Sequence, residues 1–68
     1  MERKNLLSEI AAFKIKVKKD YKDNLITKEQ YELMHIELDS IIENLVNGDL
    51  LILLIKFHAI KTTYIIMK

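Results

Sequence analysis

Asn24-Leu25-Ile26-Thr27-Lys28-Glu29-Gln30-Tyr31 is the stretch on which the fold turns. Thr27 has the side chain of a good helix N-cap, and Gln30, three residues on, can close a capping box with it. Ile26 before the cap and Tyr31 beyond it are spaced for a hydrophobic staple. A helix should therefore start at Lys28. Downstream, Tyr31, Met34, Leu38, Ile41 and Leu45 recur at steps of three, four, three and four, a heptad seam. The spacing predicts a helix from Lys28 to Val46, ended by Asn47-Gly48 with Gly48 in a left-handed position after the last turn.

Upstream, Leu6, Ile10, Phe13 and Val17 recur at steps of four, three and four, and Tyr21 extends the stripe. That is one buried helical face, and it predicts a first helix from Asn5 to Asp23. Lys14, Lys18 and Lys22 form a row beside it. Two helices of similar length, joined by a short connection and carrying matched seams, predict an all-α protein. Residues 1–48 should form a two-helix antiparallel coiled-coil hairpin with Phe13, Val17, Met34, Leu38 and Ile41 buried between the helices.

Residues 49–68 are an apolar tail that fits neither a helical nor an alternating period cleanly. Asp49 is placed to cap a third helix, and Leu50 to Ile55 is a run of six apolar residues, interrupted afterwards by Lys56, His58 and Lys61. Three arrangements stay open: a short third helix covering the hairpin, a dimer contact that makes a four-helix bundle of two copies, or a disordered end. A membrane span needs about 20 mainly apolar residues, and this segment reads as too short and too charged for one.

A chain of 68 residues makes a single small domain near the limit of independent stability. It has no cysteine, so no disulfide can reinforce it, and its only imidazoles, His35 and His58, lie far apart in sequence. A partner is the expected source of further burial. The absence of cysteine fits a reducing cytoplasm, and Met1-Glu2-Arg3-Lys4-Asn5 leads into a charged helix rather than a secretory signal. Net charge is +1, but residues 1–24 carry seven basic against four acidic side chains, and residues 25–50 one against six. This balance speaks against a nucleic-acid partner and for a bipolar protein surface.

The chain holds no glycine-rich phosphate loop, nucleophile elbow or zinc-binding helix motif. Attention falls on His35-Ile36-Glu37-Leu38-Asp39-Ser40-Ile41-Ile42. Glu37 and Asp39 lie about 100° to either side of Leu38 on a helix, so they flank the seam. Read from the residues alone, they are acidic flanks facing the lysines of the first helix, and His35 is a seam-edge residue in i,i+4 contact with Asp39. Leu33 and Ile36 point outward, where a second contact surface would lie.

This run resembles the signature of the small aspartyl-phosphate phosphatases that regulate sporulation in bacilli. Those are helical hairpins whose second helix carries Ser-Gln-Glu-Leu-Asp, one variable residue and two aliphatic ones. Here His35-Ile36 stand in place of Ser-Gln, and Leu6-Leu7-Ser8-Glu9-Ile10 is similar to the family's opening. The resemblance spans about Arg3 to Val46. It implies a phosphatase acting on the phosphorylated receiver domain of a response regulator, as a negative regulator of sporulation. Asp39 would be catalytic with Glu37 in support, and His35, Ile36, Ser40, Lys14 and Lys18 would contact the partner. It would need no cofactor of its own, because the receiver holds the phospho-aspartate and its magnesium ion.

A second resemblance points elsewhere. Asn24-Leu25-Ile26-Thr27-Lys28-Glu29-Gln30-Tyr31 is similar to the turn of short C-terminal interaction hairpins of bacterial and phage proteins, where Gly-x-Ile-Thr-x-x-Glu-Phe caps the second helix. It implies a helical protein-interaction or oligomerisation module without chemistry. Asp39 discriminates: a phosphatase needs it accessible and unpaired, whereas a plain hairpin ties it to a lysine of the first helix.

Overall fold

The structure, a computed structural model, describes residues 3–68; the reading that rests on Met1 and Glu2 lies outside them. The described residues form three helices and no strand: α1, Arg3–Lys22; α2, Lys28–Glu43; and α3, Leu50–Met67. The body measures 35 × 18 × 17 Å. A 20-residue helix is about 30 Å long and a helix about 10 Å wide, so these dimensions fit three rods lying side by side.

α1 ends in a complete Schellman motif. The Leu25 N–H donates to the Asp20 carbonyl at 2.9 Å and the Asn24 N–H to that of Tyr21 at 3.1 Å. Asn24 itself takes the left-handed conformation, φ 61°, that this motif demands and that asparagine tolerates better than most residues. Lys19 and Lys22 in the last turn complement the negative end of the helix dipole. The start of α2 follows the sequence: Thr27 Oγ1 accepts from the Gln30 N–H at 3.1 Å, and Gln30 Oε1 accepts from the Thr27 N–H at 2.9 Å. Ile26 is buried and Tyr31 half-buried.

The end of α2 departs from expectation. The helix stops at Glu43 rather than Val46. Asn44 Nδ2 donates to the Ser40 carbonyl at 2.7 Å, and the Asn44 and Leu45 N–H groups donate to carbonyls three residues back, so the chain tightens into a turn. Gly48 does not adopt a positive φ. It is needed for close approach instead: its N–H donates to the Asn44 carbonyl at 2.6 Å, and a Cβ there would stand 2.5 Å from that oxygen and 3.2 Å from Leu53 Cδ1.

The tail is not a short appendage but an 18-residue helix, N-capped by Asp49, whose carboxylate accepts from the Leu51 N–H at 2.9 Å. Leu53, Phe57, Ile60 and Tyr64 bury one face at steps of four, three and four, so a helical period is present after all. They join Leu6, Ile10 and Val17 of α1 and Met34, Leu38 and Ile41 of α2 in one core. Phe13 is only half-buried: it lies edge-on to Phe57 and Tyr64, at 5.9 and 5.4 Å, and so packs against α3. α1 meets α2 and the turn that follows it at three levels. Tyr21 stacks on Tyr31 at 4.6 Å, Lys14 pairs with Asp39, and Arg3 Nη1 donates to the Leu45 carbonyl at 2.6 Å.

Candidate functional site

The residues singled out on α2 divide between two surfaces. Asp39 faces α1, where its carboxylate binds Lys14 Nζ at 2.5 Å. Its side chain is 52% exposed and that of Lys14 27%. Glu37 turns the other way, into a cleft of about 440 Å³ between α2 and α3. Ile36, Ser40, Lys56 and Ala59 also line it. Because one residue on a helix turns the direction by about 100°, two acids that flank Leu38 are bound to diverge. Asp39 and Glu37 are therefore not brought together around one reacting atom.

His35 is half-buried, as a seam-edge residue should be, but its contact differs from the one expected. Its ring meets Tyr31 at 4.4 Å, edge to face, while the Asp39 carboxylate is taken by Lys14. Its Nε2 is buried without a partner. Burial, with Lys14 and Lys18 nearby, holds the imidazole below its ordinary pKa against a smaller opposing pull from Asp39. A neutral histidine with one covered nitrogen is a packing group here. Lys18 is exposed, and Ile36 stands 67% exposed at the rim of the cleft.

A polar centre that the sequence does not announce lies on the core face of α1, toward α3. Asp20 is buried, its Oδ2 accepting from Tyr64 Oη at 2.5 Å and pairing with Lys68 Nζ at 3.1 Å. The phenol hydrogen bond, helped by Lys68, holds the Asp20 carboxyl below its ordinary range despite burial. Burial and the adjacent carboxylate push the Tyr64 phenol well above its own. A carboxylate oxygen held by both a phenol and an ammonium from the end of the chain makes this a fastening between α1 and α3. Its spacing is the one signal: Asp20 continues the steps of four, three and four from Leu6 by three more residues, so it falls on the core face beside Tyr21.

The largest chemical feature left over is apolar. Leu33 and Ile36 on α2 and Leu51, Ile52, Ile55, Ile65 and Ile66 on α3 are all between 44% and 79% exposed. α3 is also long and apolar enough, by length and composition alone, to cross a membrane. Among the described residues no group of three or more His, Cys, Asp or Glu side chains is placed to hold a metal. Compared with protein-family models, characterised proteins and solved structures, the chain gives no significant match.

Proposed function

We propose that this chain is a non-enzymatic helical interaction module. In this reading α1 and α2 form an antiparallel coiled-coil hairpin, α3 packs along it, and the molecule works in the cytoplasm by docking on protein through outward apolar faces. The pairing of Asp39 with Lys14 carries the reading, since it engages the one carboxylate to which chemistry could be assigned. The turn adds support. Asn24, left-handed at φ 61°, stands at the glycine position of the interaction-hairpin pattern it resembles. Exposed aliphatic side chains on α2 and α3 supply the contact area that such a module uses.

The phosphatase reading keeps one observation in its favour. The Lys14–Asp39 pair is at the surface, and such pairs contribute about 0.2–1 kcal/mol, so an incoming receiver domain could draw Asp39 away from Lys14. The receiver would bring its own magnesium ion and phospho-aspartate, and Asp39 would orient water for in-line attack. Incubating the chain with magnesium-loaded, phosphorylated receiver domains and following phosphate release separates the readings. The interaction module leaves the rate of release unchanged. Release that vanishes in a folded Asp39→Ala protein would overturn it in favour of the phosphatase.

A further inference from the structure

The cleft between α2 and α3 continues along both helices as an apolar groove. Its floor is Ile41 and Ile60, 2% and 9% exposed, and its rims are Ile36 on α2 and Ala59 on α3. Helical spacing carries it further. Leu33 stands one turn before Ile36 and Glu37, on the same side of α2. Ile52 and Ile66 lie seven residues before and after Ala59, two turns away on the same side of α3. All three are open to solvent. The α3 wall from Ile52 to Ile66 is about 21 Å long at the rise of a helix.

We infer that this groove seats a basic amphipathic helix of another protein, with its apolar ridge between α2 and α3 and its lysine or arginine edge over α2; this rests on the interaction-module reading and names the kind of partner. A groove between two helices takes the side-chain ridge of a third. Filling it turns the three helices into a four-helix bundle and covers Leu33, Ile36, Ile52 and Ile66.

Charge selects the occupant. On α2, Glu29, Glu32, Ile36, Ser40 and Glu43 recur at steps of three, four, four and three, all exposed, on the side away from Met34, Leu38 and Ile41. Three carboxylates thus border the groove, and Glu37 lines it. Among the described residues Glu29, Glu37 and Glu43 make no ion pair, and Glu32 meets only Lys28, at 3.9 Å. A negative edge without counter-charges is complemented by a cationic one. The opposite wall carries Lys56, and residues 50–68 hold no acid at all. The partner's cations therefore belong over α2 and not over α3. An anionic bilayer would be repelled by the same glutamates. A small ligand would be left largely uncovered between rims as open as Ile36, 67% exposed.

Fluorescence anisotropy of the full chain with a labelled peptide of about fourteen residues, leucine and lysine set at the helical period, tests the inference. A peptide with glutamate in place of lysine is the control. The lysine peptide should bind, less tightly as salt rises, and the glutamate peptide should not. Ile36→Lys should weaken binding about tenfold or more, with helicity by circular dichroism kept. Ile15→Lys adds the same charge at an isoleucine of α1 that is 71% exposed and outside the groove, and should change binding by less than about twofold. Glu29→Gln with Glu43→Gln should weaken it about fivefold and flatten its dependence on salt. No binding of the lysine peptide, equal binding of both peptides, or a folded Ile36→Lys protein that binds as before would each overturn the inference. So would copies joined by a contact that Ile36→Lys abolishes in sedimentation equilibrium, or flotation with phosphatidylcholine–phosphatidylglycerol vesicles lost in the same variant; these would give the groove to a second copy or to lipid. A chain that takes no peptide and releases no phosphate leaves the interaction module standing; release lost with Asp39→Ala removes that reading whatever the peptide does.

Discussion

Replacing Tyr64 with phenylalanine removes one oxygen and leaves the ring that packs edge-on against Phe13. What is lost is the hydroxyl that donates to Asp20. A hydrogen bond to a charged group contributes about 1.5–3 kcal/mol. Lys68 still holds the carboxylate at 3.1 Å, so a loss of about 2 kcal/mol is expected, in the lower part of that range. For a domain of this size the melting temperature should fall by about 8–16 °C. The loss should also depend on pH in a defined sense. The carboxyl of Asp20 is held below its ordinary 3.8, so its contribution is present above that pH and is lost as pH falls through the lowered folded value. The phenol of Tyr64 is held above its ordinary 10.0, so its contribution is present below pH 10 and is lost as pH rises through the raised value. Urea unfolding of both proteins across pH should therefore show a plateau in their difference between these limits, shrinking at both ends. In an Asp20→Asn background, Tyr64→Phe should have a smaller effect, which a double-mutant cycle measures. A Tyr64→Phe protein within about 0.5 kcal/mol of wild type at neutral pH, or a difference that does not change with pH, would refute the reasoning.

Thr27→Ala should cost about 1 kcal/mol by opening the capping box, read as a lower urea midpoint at unchanged slope; an identical midpoint would mean that Gln30 caps α2 unaided. Gly48→Ala should destabilise by about 1–3 kcal/mol, the range for forcing extra volume into a packed site, because its Cβ meets the Asn44 carbonyl oxygen rather than a movable side chain. A melt unchanged from wild type would show that the turn relaxes freely.

The α1–α2 turn could be read from the chain because caps and staples are made by residues a few positions apart, and their chemistry barely depends on the rest of the fold. The heptad stripes of α1 and α2 were legible for a related reason: charged residues mark their outer faces. On α3 both faces are apolar, and the stripe of Leu53, Phe57, Ile60 and Tyr64 disappears among Leu51, Ile52, Ile55, Ile65 and Ile66. Periodicity reports a contrast between faces, and this helix has little. Asp20 was hidden by its charge. A carboxylate on a core-facing step is read as solvent-facing until the residue that satisfies it is known, and that residue lies 44 positions away. The divergence of Glu37 and Asp39 follows from the helical angle alone. Which lysine takes Asp39 depends on the register of α1 against α2, and neither helix fixes that by itself.

The fastening of Asp20 by Tyr64 bears on how the molecule comes apart. The hairpin can close from its turn, Tyr21 on Tyr31 first and then Lys14 on Asp39, 25 positions apart, whereas Tyr64–Asp20 spans 44 positions. Closing the longer loop is entropically dearer and comes later, so the α1–α3 contact should form last, after each helix has met its neighbour in sequence. A contact absent from the transition state leaves the refolding rate nearly untouched and acts on the escape rate instead. The Asp20 clasp then works as a latch: it sets how long the assembled core persists once formed, and Tyr64→Phe should steepen the unfolding trace while the folding trace stays in place.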